Sequence, residues 1–379
     1  MIILGIILII ITLNSKRDTT LKKEYNNPSI CFLIPARDES KVIESLILSI
    51  LNQTININPN DIYVIVENND DPTVAICKKY NVSTIVRKHL NLKTKGYALD
   101  EALKNIGKKY NLYFIIDADN VLDNKFVEEM VKSYKKGYDI AIGYRNIKNG
   151  NDGLVSAASG LTFSALNNIL NKARKKNNVP VLLSGTGFYI KDDIINKFNG
   201  YPFNSLTEDY ELSLYSILNG LNTTYNEKAI FYDEQPLKFK DTINQRRRWI
   251  KGYFQNRKKY IPLFKKLHKN SIIKGEMIGI KPYIMLIIGI IFWLIYFAFR
   301  NKMLLNLLIL LFIYAILVVI TIIILKKDKN INISKSLKKW VIWYFPIYLL
   351  SYILIAISLI LHPKVEWKRV EHNRNIKNI

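Results

Sequence analysis

The apolar positions of this chain follow two different rhythms. From residue 28 to about 120, short apolar runs with little interruption alternate with amphipathic stretches. "ICFLIPARDE" reads as a buried strand ending at Pro35, and "VIESLILSILNQ" as a helix with Ile43, Leu46, Ile47 and Ile50 on one face. "IYVIVENNDD" is a second strand running into an acidic loop. "DPTVAICKKYN" is a helix opened by Asp71 as N-cap and Pro72 in the first turn. "STIVRK", "GYALDEALKNIGKKY" and "YFIIDADN" continue the alternation as strand, helix and strand. Uninterrupted apolar strands separated by helices predict an α/β domain whose mostly parallel sheet is covered on both faces.

The second rhythm has no polar face. Residues 303 to 325, "MLLNLLILLFIYAILVVITIIIL", carry no charge and would extend about 34 Å as a helix, enough to cross a bilayer. Residues 340 to 361 are similar, with Pro346 as a kink site, and residues 283 to 298 form a shorter candidate. The first 13 residues, "MIILGIILIIITL", are apolar without the basic flank or cleavage site of a signal peptide, so an uncleaved anchor is expected. Lys16 and Arg17 after it, and the lysines of "KKDKNINISKSLKK" (326–339), put the following domain and that loop on the cytoplasmic side. Three spans after the domain would leave the basic tail, 362–379, on the opposite side. Its own charge argues against that, so the two signals conflict. The expected organisation is an anchor at 1–13, a soluble domain at 28–240, an interfacial segment at 241–282, about three spans within 283–361, and the tail.

The 379 residues carry a net charge of +24, which raises nucleic acid as a partner. The lysines are scattered, however, and no aromatic-interleaved or helix-turn-helix pattern accompanies them. A cytoplasmic membrane face and an anionic small substrate account for the charge, and nucleic acid is not expected. Cys31 and Cys77 sit within apolar patterns and read as reduced packing residues.

Chemistry concentrates where the apolar strands stop, the usual ligand end of such sheets. Those ends read Arg37-Asp38-Glu39, Glu67 to Asp71, and Asp117-Ala118-Asp119. Carboxylates at alternate positions after a hydrophobic strand repel unless a cation, a ligand or open solvent faces them. A divalent ion would suit Asp117 and Asp119; the plainer reading has Asp119 starting a turn and Asp123 capping the next helix. "SLTEDYELSLYSILNG" adds Glu208 and Asp209 at a helix start. Thr207 would cap that helix, and the acids would face its positive end. Alternatively, one of them accepts a proton from an attacking hydroxyl. Between these stations "LLSGTGFYI" holds Gly185 and Gly187, which either let backbone approach a ligand or form a tight turn. "NQRRRWIKGY" sets three arginines beside Trp249.

In order, Glu67, Asp117-Ala118-Asp119, Thr207-Glu208-Asp209 and Gln245-Arg246-Arg247-Arg248-Trp249 resemble the motifs of the membrane-bound, inverting family 2 glycosyltransferases, the group of cellulose, hyaluronan and poly-N-acetylglucosamine synthases. The resemblance runs from about residue 30 to 253 and implies a GT-A fold. It also implies that Asp119, with Asp117, holds Mg2+ or Mn2+ against the diphosphate of a nucleotide sugar, usually a UDP-sugar. Asp209 would be the general base toward a glycan or lipid-linked acceptor. Glu39, Glu67, Lys95 and Asp117 resemble nucleotide-sugar positions. Gly185, Thr186, Glu208, Gln245, Arg248 and Trp249 resemble acceptor and diphosphate positions. Glu67 departs from the family, which has Asp there. By this resemblance Arg248 and Trp249 serve the site, while Arg246 and Arg247 face lipid headgroups. The implied role is cell-surface polysaccharide synthesis at the plasma membrane. Transfer of one sugar to a lipid or carrier, and a nucleotide-sugar-binding pseudoenzyme, are the alternatives.

Overall fold

The apolar strands assemble side by side in a computed structural model that describes residues 27–266, Tyr296 and residues 303–365. The expected anchor, most of the 283–298 run and the tail beyond residue 365 lie outside the described residues. Eight strands form one sheet in the order β3-β2-β1-β4-β7-β6-β8-β5. They are β1 (Ile30–Pro35), β2 (Ile62–Val66), β3 (Ser83–Val86), β4 (Leu112–Ile115), β5 (Val121–Leu122), β6 (Ile140–Ile147), β7 (Phe188–Lys191) and β8 (Thr223–Asp233). Pairs β1/β2, β1/β4, β2/β3 and β6/β8 are parallel, whereas β4/β7, β6/β7 and β5/β8 are antiparallel. The sheet is thus GT-A-like, mostly parallel but mixed on one side. The reversal has a use: Ile115, the last residue of β4, pairs with Phe188, the first of β7. The glycine turn ahead of β7 therefore lies beside the Asp117 turn that leaves β4.

Both sheet faces are covered. Phe32, Ile34, Val64 and Phe114 pack under α1 (Ile43–Leu51), α2 (Pro72–Lys79) and α4 (Phe126–Lys135). Leu33, Ile65, Ile115 and Ile142 pack with Leu99 and Ala102 of α3 (Lys95–Asn105). Ile43, Leu46, Ile47 and Ile50 are all fully buried, as the helical spacing predicts. The Asp71 carboxylate accepts from Thr73 N at 2.9 Å, the expected cap of α2. Cys31 and Cys77 are buried and free.

After β6 come α5 (Leu154–Ala165), a π-helical turn at Leu166–Asn171 and α6 (Lys172–Lys176). Then α7 (Asp192–Phe198) follows β7, and α8 (Glu208–Asn219) precedes β8. Helix α9 (Phe239–Lys266) carries the three arginines. It packs on α8 through Tyr260 and Phe264 against Leu214 and Ile217. Here the sequence expectation for Thr207 fails: its side chain makes no cap bond to α8. Its Oγ1 instead accepts from Asn256 Nδ2 of α9 at 3.0 Å, so the residue at the start of α8 serves the junction between the two helices.

Helices α10 (Met303–Lys327) and α11 (Lys335–Leu361) are long and apolar enough to cross a membrane. Their connecting loop docks on the sheet domain. Asp328 accepts from Tyr144 Oη at 2.7 Å and from Ser164 Oγ at 2.5 Å. Asn332 Nδ2 donates to Ile147 O, and Ser334 N donates to Asn151 Oδ1. Ile147, Leu161, Ile331, Val341 and Phe345 form an apolar cluster at this joint.

Candidate active site

Lys95, the first residue of α3, reaches across the carboxyl end of the sheet into three segments at once. Its ammonium pairs with the Asp117 carboxylate, donates to Gly185 O at 2.7 Å and lies 3.9 Å from Glu208. The acidic turn after β4, the glycine turn before β7 and the start of α8 therefore meet around one cation, although they lie far apart along the chain. Burial opposes the charge on Lys95, but Asp117 and Glu208 outweigh it and hold its pKa above the ordinary lysine value.

The glycine turn is locked to both neighbours. Gly185 has φ +89°, a conformation that L side chains rarely adopt, and a Cβ there would lie 4.0 Å from Asp209 Oδ2. Thr186 Oγ1 accepts from Asp117 N at 2.8 Å and donates to Asn120 Oδ1 at 2.6 Å. Ser213 Oγ accepts from Leu183 N and donates to Asp209 O, tying the turn to α8.

Three carboxylates are held differently here. Asp119 is 6% exposed and accepts from Asn120 Nδ2 at 3.2 Å. Burial raises the Glu208 carboxyl to about 7, with Lys95 pulling it part of the way back. Burial also raises Asp209, against the Tyr210 N–H, Lys95 and Arg145, which favour its charged form. Both carboxyls thus stand above the ordinary carboxylate range because the site is buried.

Asp117 and Asp119 offer only oxygen donors, the hard set that Mg2+ or Mn2+ takes together with phosphate oxygens. Among the described residues no group of three or more His, Cys, Asp and Glu forms a ready cage. An ion here would thus depend on oxygens that a substrate brings, and the residues fit that role.

Beneath this cluster lies a residue that no motif flags. The Arg145 guanidinium forks onto Asp233 (Nε 3.0 Å, Nη2 2.5 Å) and donates to Ser184 O at 2.5 Å. It stacks 3.6 Å over the Phe163 ring, whose neighbour edge-on at 5.7 Å is Trp249. Asp233 in turn accepts from Asn120 at 2.9 Å. Arg145 therefore links the acidic turn, the glycine turn and the tryptophan of α9. Lys148 is also buried, donating to Asp119 O at 3.1 Å and standing 3.5 Å from Glu234. The only sequence signal for either was a cation inside or at the end of an otherwise apolar strand, β6.

Helix α9 divides its arginines differently from expectation. Arg246 does not face headgroups: it is fully buried. It donates to Thr242, Tyr348 O and Ser351 Oγ, and lies 4.2 Å over Tyr348 and 4.7 Å over Tyr352. The aromatic face of α11 gives the flat guanidinium both stacking and acceptors. Arg247 binds Ser358 Oγ and His362 O at the far end of α11. Arg248 Nε and Gln245 Oε1 are buried without hydrogen-bond partners among the described residues.

Glu67, the acidic residue after β2, does not join the Lys95 cluster. It pairs with Arg37 at 2.9 Å and stands 4.0 Å from Arg87, at the end of a strand two places from β4. Glu39 N donates to Thr73 Oγ1 at 3.1 Å, beside Asp38 N on Asp71.

The family model described as "Glycosyltransferase like family 2" matches residues 28–252, more than half of the chain. The chain belongs to that family. A relative, the probable glycosyltransferase YdaM of Bacillus subtilis (strain 168), is 24% identical over 274 residues. That match takes in 70% of this chain and 64% of the relative, so the chain spans less than two thirds of its length. Among solved structures, the mannosyltransferase PcManGT from Pyrobaculum calidifontis, in complex with GDP-Man and Mn2+, superposes with a TM-score of 0.56. It shares 14% identity, with 96% of this chain and 95% of that chain covered, a likeness of fold. The matched span of this family 2 member ends at Gly252, inside α9, so the three arginines fall within it.

Proposed function

We propose that the protein is an inverting glycosyltransferase that moves a sugar from a nucleoside-diphosphate donor, UDP-linked in the first instance, to a hydroxyl acceptor at the cytoplasmic face of the membrane. The observation that carries this reading is the convergence of Asp117, Gly185 and Glu208 on Lys95, with Asp209 beside Gly185. Asp117 and Asp119 would hold Mg2+ or Mn2+, which when bound neutralises the donor diphosphate. Asp209 takes the proton of the acceptor hydroxyl as that oxygen forms a bond to the anomeric carbon. The bond from that carbon to the diphosphate breaks, and its electron pair leaves with the diphosphate. Attack opposite the leaving group inverts the configuration.

The chain's own cations account for the rest. Negative charge grows on the departing diphosphate, and fixed positive groups in a water-poor site stabilise that change most. Arg248 is suited to this because its Nε is buried with no partner among the described residues, a state that a phosphate oxygen would relieve. Trp249, held on edge by Phe163, offers a flat face to a sugar ring. Glu39 and Glu67 would border the nucleotide, as the resemblance of their positions implies. A glycan or a lipid-linked sugar is the acceptor class, with polysaccharide synthesis and single-sugar transfer as the two product outcomes. The acceptor would arrive from the membrane side, where α10 and α11 join the domain.

The test incubates membranes containing the full chain with a panel of UDP-sugars and GDP-mannose. The expected result is nucleotide release that needs Mg2+ or Mn2+ and falls at least tenfold in Arg248→Lys, whose single ammonium cannot fork two phosphate oxygens. No release with any donor, or near-normal release in that variant, overturns the respective assignment. Product length on a gel separates chain extension from single transfer.

A further inference from the structure

We propose that α11 does not cross the membrane but lies along its interface, one face on the catalytic domain and the other against lipid, with both ends on the catalytic side. This rests on the membrane reading of the chain and not on the transfer reaction.

As a spanning helix, its 27 residues would run about 40 Å and carry the C-terminus through a hydrocarbon core about 30 Å thick. Both ends are instead tied to the same body. At the start, Ser334 N donates to Asn151 Oδ1 at 2.6 Å and Asn332 Nδ2 to Ile147 O at 2.9 Å, both acceptors in or just after β6. At the end, Arg247 of α9 donates to His362 O and Lys251 to Pro363 O at 2.9 Å. Helix α9 is itself fixed to the catalytic domain. Asn256 donates to Ser205 Oγ and Thr207 O, and Lys259 pairs with Glu211 at 2.5 Å.

The contacts between the ends are continuous. Tyr348 meets Phe239, Ser351 meets Arg246, and Ile355 and Leu359 pack on Ile250. The second half of α11 therefore runs beside α9 at the depth of Arg247 and Lys251. Two cations at mid-membrane depth are costly, so this depth is the headgroup region. The first half is set the same way by Val341 and Phe345 in the cluster with Leu161 of α5.

Packing leaves one face open. Trp340, Trp343, Ile347, Leu350, Leu354 and Leu361 are exposed, Trp340 by 68% and Leu354 by 69%, and their spacing places them on one side of the helix. A stripe of this kind that opens with two tryptophans, flanked by Lys335, Lys338 and Lys339, matches the acyl and headgroup layers of an anionic bilayer. Helix α10 differs: its exposed residues from Leu304 to Ile316 lie on several sides, while Ile320, Ile324 and Leu325 pack with α11 and Tyr314 Oη donates to Trp343 O at 2.8 Å. An in-plane α11 also removes the conflict over the tail, whose basic residues then remain on the cytoplasmic side.

The test uses the full chain in sealed vesicles of both orientations. Lys329→Cys in the helix-connecting loop and Lys364→Cys after α11 are both exposed positions, while Cys31 and Cys77 are buried. A membrane-impermeant maleimide is expected to label both reporters in inverted vesicles and neither in right-side-out ones. Labelling of Lys364→Cys from the side opposite to Lys329→Cys overturns the proposal. Nitroxides on Trp343→Cys and Leu354→Cys then report depth. Equal shallow depths support the in-plane helix, whereas a separation approaching 16 Å, the rise of a helix standing upright, overturns it.

Discussion

Burial of Asp209 and Glu208 sets the pH behaviour of the proposed reaction. A base must be ionised, and burial raises the Asp209 pKa, so activity falls on the acid side at a higher pH than an ordinary aspartate gives. Asp209 also helps to raise Glu208, and the repulsion is mutual. Below its own raised pKa Glu208 is neutral and repels nothing, so Glu208→Gln leaves the acid limb of kcat/KM, set by Asp209, in place, which a pH–rate profile measures. Stability follows the same groups. The folded Glu208 titrates near 7 against an ordinary value of 4.5, so the folded state binds more protons in that window and loses stability as pH rises through it. Glu208→Gln flattens that decline in denaturant titrations between pH 4.5 and 7. Asp209→Asn keeps the shape and loses the base: donor binding remains, and transfer falls by about 10²–10⁴. Binding and single-turnover rates read separately distinguish the two effects. Of the site residues, Asp117 and Asp119 stood out at the end of an apolar run and Glu208 and Asp209 at a helix start, each with a plain structural reading, and only the family resemblance joined the two pairs. Arg145 was not legible, since its fork onto Asp233 joins residues 88 apart, a pairing visible only once β6 and β8 lie side by side.

Among the elements, the junction of α8 and α9 decides whether the arginine helix stays with the acidic turn. Gly252 makes that contact possible: a Cβ there would fall 2.5 Å from Thr207 Oγ1. Gly252→Ala has to push α9 away from Thr207 and the start of α8, which holds Glu208 and Asp209. The expected outcome is a loss of about 1–3 kcal/mol in stability, with kcat reduced more than KM, checked by thermal unfolding and steady-state kinetics. Strands β1 to β4 and helices α1 to α4 were readable because each is a local rhythm of apolar positions. The antiparallel entry of β7 was not, because strand direction depends on which neighbour a strand meets.

For the whole molecule, the joint between the apolar helices and the catalytic domain is a structural element in its own right. The Asp328 carboxylate, buried with hydroxyls of Tyr144 and Ser164 as donors, is its polar anchor. Asp328→Ala leaves those hydroxyls unpaired and is expected to weaken docking by about 1.5–3 kcal/mol. The measurable result is faster proteolysis of the 328–334 loop in membranes. By itself, the sequence determined the alternation of strand and helix, the acidic stations and the presence of helices with no polar face, because periodicity and local charge are properties of neighbouring residues. Only the tertiary structure decided that Lys95 gathers three stations, that Arg246 is a buried stack rather than a headgroup contact, and that α11 has a protein side and an open side. A uniformly apolar helix carries no directional signal of its own; its sidedness comes from the surfaces it packs on.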